Sequence, residues 1–175
     1  MAGQPQLPPR AGSRPRTSTQ IPHCQLDQQP GDSRHLDAIL AQALTWPSVR
    51  GQPSAISVEG ARALALEAGA AAGPAGAFLA GREFCHAHAQ GDFSLHATLP
   101  LPLAAAAERA GWAEPHFLVH TGQAPATVVM LYAPRDDRER DIVLRLVRAS
   151  YQFALAPDGP HTAGADQRPP APASI

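Results

Sequence analysis

Residues 82–99 read "REFCHAHAQGDFSLHATL". Two runs rich in β-forming residues flank Gln90, Gly91 and Asp92, and glycine with aspartate is the chemistry of a tight turn. The stretch therefore predicts a β-hairpin, "REFCHAHA" returning as "FSLHATL". Strand side chains alternate, so His86 and His88 fall on one face with Arg82 and Phe84. Cys85, Ala87 and Ala89 fall on the other, where small side chains fit beneath helices. With Gln90–Asp92 as a three-residue loop, Ala89 faces Phe93, His88 faces Ser94 and His86 faces His96. Ser94 and Thr98 then extend a polar surface. A loop one residue longer or shorter would turn His96 to the opposite face.

The flanking chain supplies an α+β frame. "HLDAILAQALTW" (35–46) has helical spacing and stops at Pro47; "SAISVEGARALALEAG" (54–69) reads as one or two strands; "AAAGPAG" is a loop. "LAAAAERAG" predicts a helix closed by Gly111, and "ATVVMLYAP" (126–134) a strand ended by Pro134. In "RDDRERDIVLRLVRASYQFAL" (135–155), Asp136 and Glu139 have capping-box spacing, and Ile142, Val143, Leu146, Val147, Tyr151 and Ala154 form one apolar stripe. The expected fold is a mostly antiparallel sheet bearing the histidine hairpin, covered on one face by two or three helices. Its domain is residues 35–156. Residues 1–33 and 157–175, rich in Pro, Gln and Arg or in Pro, Ala and Gly, read as disordered tails.

Composition removes several chemistries. All fourteen basic residues are arginine, so Schiff-base and P-loop lysines are absent. A formal charge of −1 gives no positive face for nucleic acid. The two cysteines, Cys24 and Cys85, make no disulfide framework, and no apolar run is long enough for a membrane span or a signal peptide, so the expected location is the cytoplasm. G-x-S-x-G, G-x-G-x-x-G and C-x-x-C are missing. The remaining chemistry lies in imidazoles. His86, His88 and His96 can present three nitrogens to one divalent metal; the same group without metal is an acid–base cluster of neutral imidazoles; a solvated strand face is the third reading. Glu83, Asp92 and Glu114 stand near enough in the chain to back them, and His116 and His120 follow. Trp112 reads as core packing or a pocket wall, and Arg135 as a structural ion pair or an anchor for a ligand carbonyl or anion.

In order, "REFCHAHAQGDFSLHATL", "GWAEPHFL" and "VMLYAPRDDRERDIVLRLVRASYQF" resemble the luciferase-like domain family named after the luciferase of bioluminescent fungi. Its pattern is R-E-x-x-H-x-H, L-H-x-x-L, G-W-x-x-x-H-P-L and Y-A-P-R, then an amphipathic helix. The likeness spans about residues 82–153. It implies catalytic roles for His86, His88, His96 and His116 and substrate contacts for Arg82, Glu83, Trp112, Tyr132 and Arg135. The fungal members oxidise a hydroxylated styryl-pyrone with molecular oxygen, through a peroxide that loses carbon dioxide and emits light, without flavin or nucleotide. By resemblance, this chain is expected to act on a small enolic or phenolic molecule with O2 as co-substrate, as a cofactor-free or metal-assisted oxygenase; the alternative is a non-catalytic binding module of the same fold. Two departures stand out: the amino-terminal region is polar and Pro-rich where the fungal enzymes are hydrophobic, and His116 is followed by Phe117 in place of proline. The sequence leaves the oligomeric state open.

Overall fold

The computed structural model describes residues 6–157. Six strands form one open antiparallel sheet: β1 (Val49–Pro53), β2 (Arg62–Leu66), β3 (Glu83–Ala87), β4 (Leu95–Thr98), β5 (Ala113–Pro115) and β6 (Val128–Leu131), in the order β1-β2-β3-β4-β6-β5. Among the described residues four α-helices accompany it, α1 (Arg34–Ala43), α2 (Leu101–Arg109), the single turn α3 (Phe117–His120) and α4 (Asp137–Leu155), with a short 3-10 turn at Ala75–Ala77. The fold is α+β.

The apolar core lies between the sheet and its helices. Leu36, Ile39 and Leu40 of α1, Ala104 and Ala107 of α2, and Ile142, Val143, Leu146 and Tyr151 of α4 meet Leu64, Cys85, Ala87, Leu95, Ala97, Val129 and Leu131 of the strands. The α4 stripe is thus the one the sequence predicts. At its start, Asp136 Oδ1 accepts from Glu139 N at 2.8 Å. Glu139 does not close a reciprocal box on Asp136; its carboxylate accepts from Arg135 N at 3.0 Å and pairs with the Arg135 guanidinium. Gly111 ends α2 with φ +80, a backbone conformation glycine adopts without steric cost.

The hairpin has the expected register, with His86 opposite His96 and Ala87 opposite Leu95, and His88 N donating to Ser94 O. Asp92 shapes its loop by accepting from Ser94 N at 2.6 Å. Strict alternation fails one residue earlier. Between β2 and β3 the pairing passes from Leu64–Cys85 to Ala65–Glu83, so Phe84 is an extra, bulged residue. Phe84 therefore joins Cys85 in the core, 6.0 Å from Tyr151 between ring centres, not His86 and His88 on the other face. Glu83 is turned towards His86 instead. Arg82, also expected beside the histidines, hydrogen-bonds the carbonyls of Leu66 and Ala70. Thr98 is spent on Ala77 O and Ser150 Oγ.

Three further segments differ from expectation. Strand β1, "VRGQP", precedes the 54–69 stretch, of which only 62–66 is strand; a glycine and a proline hide its β character, and as an edge strand it tolerates Pro53. Residues 113–115 form β5 and residues 117–120 form α3, elements that no periodicity in the sequence signals. Most consequential, residues 6–33 are not a disordered tail. Trp112 Nε1 donates to Pro8 O at 2.6 Å, Ala133 N to Gln25 Oε1 at 2.9 Å, and Arg10 lies buried beside Glu139 and over the Tyr132 ring. Polar anchors of this kind have no periodicity for sequence reading to find. Of the carboxyl-terminal tail, all but Pro157 lies outside the described residues.

Candidate functional site

Strands β3 and β4 carry His86, His88 and His96 into the protein on the face away from the main core. His116 joins from the residue before α3, its ring centre 4.5 Å from that of His96. A fifth imidazole, His23, comes from the amino-terminal segment and stands 5.6 Å from His96 and 4.9 Å from His116, centre to centre. His23, His86, His88 and His96 are each at most 4% exposed, which removes the reading of a solvated strand face. The five rings border a cavity of about 540 Å³. Its other walls are largely apolar and include Ile21, Val58, Phe78, Leu118 and Val128.

Each of three imidazoles is held by a carboxylate. Glu83 Oε1 lies 2.6 Å from His86 Nδ1 and also accepts from Ser54 Oγ at 2.9 Å. Asp92 Oδ2 lies 2.7 Å from His88 Nδ1, and Glu114 Oε1 2.9 Å from His23 Nε2. Tyr132 supports the last pair by donating to Glu114 Oε2 at 2.8 Å. A carboxylate accepts, so each paired ring nitrogen carries the proton. On neutral His86 the other nitrogen, Nε2, then holds a lone pair, 3.0 Å from His96 Nδ1. In that tautomer His96 donates from Nδ1, which leaves its Nε2 unprotonated. That Nε2 is buried and has no hydrogen-bond partner.

Electrostatics keep the centre of the cluster neutral. Burial, followed by the neighbouring imidazoles His86, His88, His116 and His23, holds His96 well below the ordinary histidine range. The same causes, burial first and then His23, push His116 down to about 4. Asp92 and Glu114 are lowered despite burial, because the hydrogen bonds from His88 and His23 favour their charged forms. Cys24, 4.0 Å from His88 Nδ1, is pushed up to about 12 by burial and by Asp92, and so stays a thiol.

The expected site residues thus divide. His86, His88, His96 and His116 converge on one concavity, with Glu83 directly behind His86. Tyr132 touches the site only through Glu114, and Arg82, Trp112 and Arg135 do not line the cavity. Trp112 is core, and Arg135 is engaged by Glu139, Gln28 and Ala11 O. Sequence reasoning missed His23; one histidine in a Pro-rich segment carries no pattern, and only the chain path reveals it.

Three imidazole nitrogens on His86, His88 and His96 lie within 4.8 Å of one another, and so do three on His23, His96 and His116. Either buried triad could hold a metal, and the unpartnered His96 Nε2 and the carboxylates behind the rings fit that use. No helix among the described residues is long and apolar enough to cross a membrane.

The architecture is therefore an open antiparallel sheet of an α+β fold whose face away from the main core encloses a carboxylate-backed histidine cluster. Residues 81–150 match the model of the Luciferase domain family. The matched segment contains His86, His88, His96 and His116; His23 lies outside it. Neither a curated protein nor a solved structure matches the chain.

Proposed function

We propose that the chain is an oxygenase that acts on a small, neutral enolic or phenolic substrate in the histidine cavity. The observation that carries this reading is the Glu83–His86–His96 chain, which ends in a buried, unpartnered Nε2 on a cavity-lining imidazole. His96 Nε2 takes the hydroxyl proton of the substrate. As it does, Nδ1–H is drawn towards His86 Nε2, and Glu83 stabilises the positive charge that spreads over the pair. The substrate anion then carries carbanion character, and its carbon gives an electron pair to O2; the new C–O bond yields a peroxide that recovers the proton from the relay. His116, whose Nδ1 accepts from Leu118 N and whose neutral ring therefore carries its proton on Nε2, stands close enough to His96 to hold the developing oxyanion, a role that Arg135, bound to Glu139, is not placed to take. A divalent metal held by His86, His88 and His96 would polarise the same hydroxyl as a Lewis acid.

Oxygen uptake by the purified full chain across a panel of hydroxypyrones, enols and phenols tests the reading. Uptake with a member of the panel is expected, with a fall of about 10²-fold or more in His96→Ala. Equal uptake by His96→Ala overturns the role of His96. Binding without any uptake favours the second reading, a non-catalytic small-molecule binding module, which the apolar cavity walls would also serve.

A further inference from the structure

The two triads share His96, a ring with two nitrogens, of which one faces His86. Nδ1 stands 3.0 Å from His86 Nε2, while Nε2, equally buried, meets nothing. A buried nitrogen without a partner is costly to leave unsatisfied, so a ligand for it is to be sought. Behind the triad of His86, His88 and His96 stand Glu83 and Asp92, each on an Nδ1, which leaves the two Nε2 atoms as donors. Behind the triad of His23, His96 and His116 stands Glu114 on His23 Nε2, which leaves Nδ1. His23 Nδ1 accepts from Phe117 N only at the long distance of 3.3 Å. His116 Nδ1 accepts from Leu118 N at 3.1 Å, so the neutral ring keeps its proton on Nε2 and its lone pair on Nδ1, and ligation gives up the Leu118 contact. Imidazole nitrogens backed in this way by carboxylates are the usual setting of a bound first-row metal ion.

We propose that the cluster binds two divalent transition-metal ions bridged by the imidazolate of His96, one also held by His86 and His88, the other also by His23 and His116. The proposal builds on the metal reading of the first triad and adds a second ion, a bridge, and a ligand from outside the family segment. Loading releases the one ring proton of His96 to solvent, so that each of its nitrogens donates a lone pair to one ion. The His86–His96 hydrogen bond gives way to two nitrogen–metal bonds. Glu83, Asp92 and Glu114, whose hydrogen-bond partners are histidines that ligate as neutral rings, together with the imidazolate make four negative charges. Two divalent ions balance them. An all-imidazole set without thiolate suits zinc, copper, nickel or iron, and calcium or magnesium poorly.

The test uses the full chain, stripped with chelator, loaded with Zn²⁺ or Cu²⁺ and dialysed, with metal content read by mass spectrometry and Cu²⁺ spins by electron paramagnetic resonance. Two ions per chain are expected, with a copper signal that integrates far below the copper content because a bridging imidazolate couples the two spins. His88→Ala and His116→Ala should each retain one ion and restore a full signal; far-ultraviolet circular dichroism confirms that each variant is folded. One ion per chain, lost in His88→Ala and kept in His116→Ala, overturns the two-ion centre and leaves the single-metal reading intact. Two ions with full, uncoupled spin overturn the bridge. No retained metal in the wild-type chain removes both readings and leaves the metal-free oxygenase.

Discussion

Glu83 shows how one backbone irregularity assigns a chemical task. Alternation from His86 would direct it to the core, yet the bulge at Phe84 brings its carboxylate to 2.6 Å from His86 Nδ1. Replacing it with the isosteric glutamine should leave the fold in place while weakening the support for positive charge on His86 and His96. We expect Glu83→Gln to lower metal affinity about 10–100-fold, measured by competition with a chromophoric chelator, with a circular dichroism spectrum like that of the wild type. Acid should act on the same centre through stability. His96 and His116 lie below the ordinary value of 6.5 in the folded chain, His116 at about 4, so between those values the unfolded chain binds more protons than the folded one. Their contribution is intact above about pH 6.5 and is lost as pH falls towards 4. The urea midpoint of the metal-free chain should therefore drop across that interval, and a His116→Ala variant should show a shallower drop.

The hairpin and α4 were legible because each combines periodicity with its own punctuation: Gly91 and Asp92 in one, Asp136 and the apolar stripe in the other. The facing of His86 and His96 followed from the register alone. The bulge was not legible, because it depends on how β2 and β3 meet and not on the residues of β3. Strand β5 was hidden for another reason: three residues ending in proline show no alternation, and β6 defines them by pairing. Asp136→Ala tests the helix start, with an expected loss of about 1 kcal/mol in chemical denaturation. The amino-terminal segment is a larger case. Its anchors are single polar contacts to Trp112, Ala133, Glu114 and Glu139, which composition reads as disorder. Deletion of residues 1–26 should lower the denaturation midpoint and open the cavity to water, because Glu114 and Glu139 lose His23 and Arg10 and the wall residues Ile21 and Pro22 depart. An unchanged midpoint would restore the tail to the status its composition suggests.

The molecule divides its labour between the two faces of one sheet. One face packs apolar side chains under α1, α2 and α4; the other encloses imidazoles and carboxylates beneath a segment that the family match does not include. The rigid core fixes β3 and β4, and these fix the register on which the proton relay depends. Everything proposed for the site rests on one arrangement: a buried, neutral His96 that donates from Nδ1 and keeps a bare lone pair on Nε2. Long-range ¹H–¹⁵N correlation of the imidazole rings in metal-free protein at pH 7 measures it directly. A protonated Nδ1 and an unprotonated, pyridine-like Nε2 are expected for His96, with protonated Nδ1 on His86 and His88. A protonated Nε2 on His96, as the other tautomer or as the imidazolium, would contradict it.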